Sequence, residues 1–263
     1  MNNIIFGVYS GYNSLKTSKG GIYYFFKSLR RYNKDCKVVI ICEKNNIFED
    51  LIIFSNEMNF EIYSNFTPKY NMMFYRFEIY NNYLKEENLI FDKVLLSDIN
   101  DVIFQEDPFS INFTEELYCA LEKNILSDNT NSSKMNMSWI NECKHFSKSD
   151  YKNKYVICAG TILGNYNGII KYLDFYKNIQ KNKIVNDQGL LNVYVYNYLS
   201  SKKCLKYKES KILTLDNIKF ETLNIDSNNN IINNKGEKYS IIHQINRCNL
   251  PFILNMINKI IDL

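Results

Sequence analysis

The chain has 263 residues and a formal net charge of +4. That length is sufficient for one large α/β domain with a full core. The lysines are scattered without a dense basic block, so the composition argues against nucleic-acid binding. Seven cysteines without a CxxC pair favour reduced thiols over a disulfide framework or a zinc cluster.

Apolar runs and helical periods alternate through the N-terminal part of the chain. The predicted strands are Ile4–Tyr9, Lys37–Cys42, Glu61–Tyr63 and Val94–Leu96, and the helices between them are Ile22–Tyr32, Phe48–Met58 and Met72–Lys85. Strands that alternate with helices of about a dozen residues are typical of βαβ units. We therefore expect an α/β fold with a mainly parallel central sheet, flanked by helices.

The pattern changes after residue 110. The predicted elements are strands at Leu117–Leu121, Tyr155–Leu163 and Ser240–His243, a polar loop at Ser127–Ser138, helices at Ile169–Ile179, Gln188–Leu199 and Pro251–Ile261, and an irregular region at Ile212–Tyr239 with a hairpin at Asn228–Gly236. No internal repeat or linker interrupts the sequence, which favours a single domain over residues 1–263.

The segment KVLLSDINDVIFQEDPF is the most informative of the chain. The apolar strand Val94–Leu96 leads directly to two carboxylates, Asp98 and Asp101. Ligands bind at the carboxyl ends of the strands in α/β sheets, and hard oxygen ligands there suit Mg²⁺ or Mn²⁺. The alternative is a pair of solvated acids in a turn.

The two histidines differ in their surroundings. His145 lies in a helix-like segment and is predicted to be a surface residue, whereas His243 ends a short strand in IIHQINR, with Arg247 one turn later. His243 suits a third metal ligand and Arg247 a phosphate contact, although a lone histidine is more often structural. The phosphate-binding glycine motifs are absent, so a nucleotide site here would need a metal and basic side chains.

Together these motifs resemble the GT-A glycosyltransferases, distantly similar to the glycogenin-like family of nucleotide-diphospho-sugar transferases. LLSDINDVIFQEDPF resembles the hydrophobic strand and DxD signature of that fold. The resemblance assigns the metal to Asp98, Asp101 and His243. Asn100 stands at the second acidic position of a strict DxD, which leaves it as a further ligand or a ribose contact.

Other segments match the family in the expected order. MMFYRFEIYNNYL resembles the helix whose basic residue helps to hold the nucleotide, CAGTILGN the small-residue lining of the sugar pocket, NDQGLLN the acidic segment near the transferred sugar, and IFGVYSG the first strand beside the base. The residues so implicated are Arg76, Ala159, Gly160, Thr161, Asp187, Gln188, Val8 and Tyr9, with Asp187 and Gln188 in the catalytic role. The alternatives are a surface charge for Arg76, a strand bulge for Gly160 and a helix cap at Asn186 or Asp187 for the acidic segment.

The resemblance implies a hexosyl- or N-acetylhexosaminyltransferase that uses Mn²⁺ or Mg²⁺ and a UDP-sugar, with a glycan or other hydroxyl acceptor and a retaining mechanism. Residues 1–101 would form the nucleotide-binding half, and residues 102–263 the sugar and acceptor half. Two rivals remain, a haloacid-dehalogenase-like phosphohydrolase and a non-catalytic nucleotide-sugar-binding protein on the same scaffold.

The sequence also carries an expectation about location. No apolar run reaches the roughly 18 residues of a membrane span, and the first residues lack the basic region of a signal peptide. We therefore expect a protein that is not secreted and that works in the cytoplasm, either of a bacterium or of a virus-infected host cell.

Overall fold

The computed structural model describes residues 2–10, 14–17, 20–86, 90–143, 151, 153–180, 185–199, 209–216 and 222–247. The strands are β1 (Asn3–Tyr9), β2 (Lys37–Cys42), β3 (Glu61–Tyr63), β4 (Lys93–Ser97), β5 (Val102–Phe104), β6 (Leu117–Ile125), β7 (Tyr155–Asn165), β8 (Ile212–Thr214), β9 (Asn224–Ile225), β10 (Ile231–Ile232) and β11 (Ile241–His243). The α-helices are α1 (Ile22–Tyr32), α2 (Glu49–Met58), α3 (Met72–Glu86), α4 (Asn131–Glu142), α5 (Tyr166–Gln180) and α6 (Asp187–Tyr198).

A six-stranded sheet in the order β3-β2-β1-β4-β7-β6 forms the centre of the fold. The first four strands are parallel to one another, whereas β7 runs antiparallel to both β4 and β6. The predicted fold class, α/β with a mainly parallel central sheet, is confirmed. Because β1 and β4 are parallel neighbours, their carboxyl ends meet at one edge of the sheet, where ligands bind in such folds.

Helices cover both faces of this sheet, and each face has its own apolar core. One core joins the sheet to α3, α5 and α6, and the other joins it to α1 and α2. Strands covered on both faces need continuous apolar runs, which explains why β1 and β2 have almost no polar residues. Helix α1 is instead amphipathic, with Phe25, Phe26 and Leu29 buried on one side.

A second, three-stranded sheet lies beside the carboxyl end of β4, in the order β5-β11-β8. Strand β11 is antiparallel to β5 and parallel to β8. This small sheet brings a C-terminal strand next to the acidic segment after β4, so it determines how the candidate site is assembled.

The structure corrects two predictions. The segment Ser127–Ser138 is not a loop, because most of it belongs to α4. Thr130 caps this helix by accepting a hydrogen bond from the Ser133 backbone N–H. The polar composition concealed the helix, since two of the residues that it buries, Ser133 and Asn136, are polar.

The region Ile212–Tyr239 is likewise not wholly irregular, because it contains β8 and the antiparallel pair β9–β10. The β9–β10 pair turns at residues 226–230, at the N-terminal side of the predicted range. A second turn at residues 233–237, closed by the antiparallel bridge between Ile232 and Lys238, overlaps the C-terminal part of that range. Strands of two or three residues are too short to show a period in sequence. The predicted helix Pro251–Ile261 and His145 lie outside the described residues.

None of the helices in the described part of the chain combines the length and the apolar character that crossing a membrane would require.

Candidate metal centre

The acidic segment leaves the sheet at the end of β4, as the sequence predicted. The backbone N–H of Asp98 donates to the Gly160 carbonyl at 2.7 Å, so the loop is held to the neighbouring strand β7 from its first residue. The loop then passes Asp101 and enters β5 at Val102. The side chain of Asp98 is 29% exposed and that of Asp101 15% exposed, so these are not simply solvated acids in a turn.

His243 reaches the same place through the register of the small sheet. β11 pairs His243 with Val102, the residue that follows Asp101. The backbone N–H of Ile245 also donates to the Asp101 carbonyl at 3.1 Å. The histidine is only 2% exposed, so it is buried at the bottom of the site.

Asp98, Asp101 and His243 together form a cluster that could hold a metal ion. His243 Nε2 lies 3.4 Å from Asp98 Oδ2 and 3.6 Å from Asp101 Oδ1, and one ligand atom from each residue lies within 4.8 Å of the others. Two carboxylates and an imidazole suit Mn²⁺ or Mg²⁺. The residues therefore fit the divalent ion that the sequence predicted.

The charges around the imidazole also favour a cation. Burial acts to lower the pKa of His243, but Cys158 and the Asp98 carboxylate outweigh it and raise that pKa well above its ordinary value. For the Asp101 carboxyl, burial acts in the other direction and raises the pKa. A bound divalent ion would supply the positive charge between these groups that a proton otherwise provides.

Gly160 leaves the space in which this cluster forms. A Cβ atom at this position would lie 2.1 Å from His243 Cε1 and 2.8 Å from Asp98 Oδ2. Any other residue would therefore displace the imidazole or the carboxylate. The residue lies in β7 where the pairing with β6 shifts register between Ile162 and Ile157, so the predicted strand bulge and the position beside two predicted metal ligands coexist.

Arg76 joins the metal cluster to the start of α6. Its Nη1 lies 2.6 Å from Asp98 Oδ1, and its Nη2 lies 2.8 Å from Asp187 Oδ2. The residue is 5% exposed, so the alternative of a surface charge is wrong. Burial opposes its charge, but Asp98 and Asp187 outweigh burial and raise the pKa of Arg76. Burial by itself would raise the pKa of the Asp98 carboxyl. The guanidinium of Arg76 outweighs burial, so the pKa of Asp98 is lowered.

Asp187 and Gln188 open helix α6 next to this ion pair. Asn186 is the cap, because its side chain accepts from the Gly189 N–H at 3.0 Å. Asp187 Oδ1 accepts from the Gln188 N–H at 2.8 Å while Oδ2 bonds Arg76, so both carboxylate oxygens are engaged. Burial raises the pKa of Asp187, and Arg76 opposes that rise.

The Gln188 carboxamide has a fixed orientation. Its Oε1 accepts from the Ala159 N–H at 3.2 Å, and its Nε2 donates to Glu122 Oε1 at 3.2 Å and to Asn136 Oδ1 at 2.8 Å. These three bonds hold the amide between β6, β7 and α4. Gln188 is thus held next to Ala159, the neighbour of Gly160, while Thr161 is buried in the sheet opposite Ser97.

Val8 and Tyr9 end strand β1 at the same edge of the sheet as Asp98. They are 8% and 1% exposed, and the Tyr9 hydroxyl donates to the Ser14 carbonyl at 3.0 Å. Asn100 lies in the acidic loop, and its carbonyl accepts from the Gly21 N–H at 2.6 Å. Gly20 and Gly21 have φ values of 156° and 131°, so this close approach of the loop before α1 needs glycine.

Arg247 lies at the outer side of the cluster, after β11. Its side chain is 49% exposed, and Nη1 lies 3.6 Å from Asp216 Oδ1. Arg247, predicted to contact a phosphate, therefore lies near the other site residues, and its side chain points to the surface. Asp216, which follows β8, is held by a bond from its N–H to Gln244 Oε1 at 2.9 Å.

Sequence reasoning missed Glu122 and Cys158. Glu122 is 4% exposed on β6, and burial together with the Asp216 carboxylate raises its pKa to about 7. Cys158 Sγ lies 3.4 Å from His243 Nδ1. The only signal for Glu122 was an acid that interrupts the apolar run LYCALEKNI, and Cys158 gave none.

Solved structures match this chain, whereas no family model and no curated protein does. Two matching solved structures are of the glycosyltransferase GlyE in Streptococcus pneumoniae TIGR4, the second in its apo form, each with 18% sequence identity. The first match has a TM-score of 0.40 and covers 75% of this chain and 44% of the GlyE chain. The second has a TM-score of 0.42 and covers 82% and 46%. The chain thus spans less than half the length of either, and a likeness this distant does not assign a function.

Proposed function

We propose that this chain is a metal-dependent glycosyltransferase of the GT-A type. It would transfer a hexosyl or N-acetylhexosaminyl group from a nucleotide-sugar, by default a UDP-sugar, to a hydroxyl of a glycan or other acceptor. The observation that carries the proposal is the convergence of Asp98, Asp101 and His243 at the carboxyl end of β4. The metal ligands of such an enzyme are expected at this edge, where they can reach a nucleotide diphosphate.

The donor half of the site would be built from residues 1–101. Asp98 and Asp101 would hold Mn²⁺ or Mg²⁺ with His243, and Val8 and Tyr9 would lie against the base at the neighbouring strand end. A bound divalent ion neutralises charge on a departing diphosphate. Arg247, with its exposed guanidinium, would contact the same phosphates.

Residues 102–263 would contribute the sugar and acceptor side. Gly160 and Gln188 are adjacent to the metal ligands, and the fixed amide of Gln188 would orient the transferred sugar. Asp187 is 8% exposed and bonded through both oxygens, so an incoming hydroxyl has little access to it as a base. This supports the retaining mechanism, in which the leaving phosphate can take that proton, over an inverting one that needs a carboxylate base.

The two hydrogen-bonded oxygens of Asp187 also favour one alternative, the non-catalytic nucleotide-sugar-binding protein. A protein that binds a nucleotide-sugar without turning it over needs the metal cluster but no free base. Binding and turnover therefore have to be measured separately. The phosphohydrolase alternative predicts hydrolysis of simple phosphate esters and no selectivity for UDP.

Thermal denaturation with UDP, with GDP and without nucleotide, each with Mn²⁺ or with chelator, tests the proposal. We expect stabilisation only when UDP and Mn²⁺ are both present, because Asp98, Asp101 and His243 would hold the ion and its charge would offset that of the diphosphate. Slow hydrolysis of a UDP-sugar would then identify an enzyme, and binding without any turnover would identify the non-catalytic rival. The absence of a shift under every condition would contradict the proposal and lead to phosphatase substrates.

A further inference from the structure

The His243 imidazole has a partner at each of its nitrogens. Nε2 faces the carboxylates of Asp98 and Asp101, and Nδ1 lies 3.4 Å from Cys158 Sγ. His243 is 2% exposed and Cys158 is 1% exposed, so water does not compete for this contact. The Nδ1 hydrogen bond therefore depends on the sulfur.

Strand β7 presents two residues to this ring. Cys158 meets Nδ1, and Gly160, two residues further along, leaves room for Cε1 and Nε2. Side chains two apart lie on the same face of a strand, which explains how one strand can contact both sides of the ring. The intervening Ala159 serves another group, because its N–H donates to Gln188.

The direction of the bond follows from what Nε2 has to do. A nitrogen that coordinates a metal must offer its lone pair, so a neutral histidine bound through Nε2 carries its proton on Nδ1. Histidine ligands in proteins almost always donate this second N–H to a carboxylate, a carbonyl or water, which sets the ring orientation and the tautomer. Here the partner is the Cys158 sulfur, which can accept a hydrogen bond from that N–H.

We infer that Cys158 is a positioning residue for His243: its sulfur accepts the Nδ1–H and holds the ring in the tautomer and orientation in which Nε2 faces the metal site. The inference rests on the metal centre of the proposed function. It assigns to Cys158 a contribution to metal affinity, without contact to the ion or to substrate. Packing alone would instead make the thiol replaceable by any side chain of similar size.

Direct metal binding and the protonation of the ring test the inference. Mn²⁺ binding is measured by electron paramagnetic resonance of the free ion, with and without UDP, on the parent, Cys158→Ala and Cys158→Ser. Long-range ¹H–¹⁵N spectra with and without Mg²⁺, in a His145→Gln background that leaves His243 as the only histidine, report which ring nitrogens carry protons. Cys119→Ala is the matched control, because it truncates a buried cysteine on the adjacent strand β6.

We expect the parent to keep its Nδ1 proton with and without Mg²⁺, and to lose the Nε2 proton when Mg²⁺ binds. Cys158→Ala should populate both tautomers and weaken Mn²⁺ binding by about 10- to 100-fold, the usual effect of removing such a partner. Cys158→Ser should bind Mn²⁺ within a few-fold of the parent, because a hydroxyl can also accept from Nδ1. Cys119→Ala should bind as the parent does.

Three results would overturn the inference alone, while the parent still binds metal. They are a bare Nδ1 in the parent, unchanged Mn²⁺ affinity in Cys158→Ala, and an equal loss of affinity in Cys119→Ala. A parent that binds neither Mn²⁺ nor Mg²⁺, with or without UDP, would instead overturn the proposed metal centre, and this inference with it.

Discussion

Arg76 Nη1 lies 2.6 Å from Asp98 Oδ1, and the other carboxylate oxygen of Asp98 faces His243. One side of the carboxylate is thus held by a buried guanidinium, while the other is left for the metal site. The second arm of the guanidinium reaches Asp187 and connects the metal ligands to the first turn of α6. Arg76, predicted as a nucleotide contact, has the carboxylates of Asp98 and Asp187 as its partners in the structure.

Removing this guanidinium should destabilise the fold. Arg76→Met would leave Asp98 and Asp187 partly buried without their cation, and breaking a buried ion pair in this way costs about 3–5 kcal/mol. Arg76→Lys should recover part of the loss, because an ammonium cannot make both contacts of the fork. Urea unfolding measures both. Lys85→Met, which removes the exposed ion pair with Asp174, is the control and should cost less than about 1 kcal/mol. Equal losses in the two Met variants would contradict this role.

Gly160→Ala should weaken metal binding and not only stability. The new methyl would lie 2.5 Å from His243 Nε2, so the ring has to move away from the carboxylates. Gly164→Ala is matched, because it sits on the same strand and its Cβ would lie 2.8 Å from Leu117 Cδ2, away from the metal ligands. Both variants should lose about 1–3 kcal/mol of stability. Only Gly160→Ala should lose Mn²⁺ affinity, by more than about tenfold. An unaltered Mn²⁺ affinity in Gly160→Ala would show that the ring is not a ligand in this position.

Substitutions in the candidate metal cluster should affect UDP binding differently from a substitution of another acid. Asp101→Asn and His243→Gln should abolish the Mn²⁺-dependent stabilisation by UDP, because the first removes a negative charge and the second the imidazole nitrogen from a cluster of three ligands. Asp174→Asn, an acid in an exposed ion pair, should retain it. Thermal denaturation with UDP and Mn²⁺ measures the effect, and circular dichroism checks that each variant is folded. A full UDP shift in either ligand variant would remove that residue from the site.

Glu122 should make the stability depend on pH near neutrality. Its pKa is raised from 4.5 to about 7 in the folded protein, chiefly by burial and then by Asp216. The folded state therefore holds this proton more tightly than the unfolded state. This tighter binding of the proton contributes to the free energy of unfolding. The contribution is fully present below pH 4.5 and is lost as the pH rises through about 7. The shift corresponds to a loss on the order of 3 kcal/mol.

Urea unfolding of the parent and of Glu122→Gln between pH 4 and 9 tests this dependence. The groups that face Glu122 include Asp216, Gln188, Arg247 and His243, and they remain in both proteins, so the difference between the two isolates Glu122. We expect the parent to lose stability relative to Glu122→Gln as the pH rises. A difference that is constant with pH would mean that Glu122 titrates normally.

The elements up to β4 were predicted almost residue for residue. Fully buried parallel strands have to be continuous apolar runs, and Lys37–Cys42 shows this directly. The same argument located Asp98 and Asp101, because a strand end is visible where an apolar run stops. Helix α4 was missed because it buries polar side chains, such as Asn136, whose partner Gln188 comes from a distant segment.

The sequence by itself determined the α/β alternation, the acids after β4 and a histidine at the end of a short strand, because each depends on local pattern. Only the tertiary structure decided that His243 pairs with Val102, that Arg76 is buried between Asp98 and Asp187, and that Cys158 bonds the imidazole. These contacts join residues far apart in the chain, and they depend on sheet register and packing. Sheet register and packing leave no period or spacing in the sequence. The residues of the candidate metal cluster were therefore predictable, while their contacts with Arg76 and Cys158 were not.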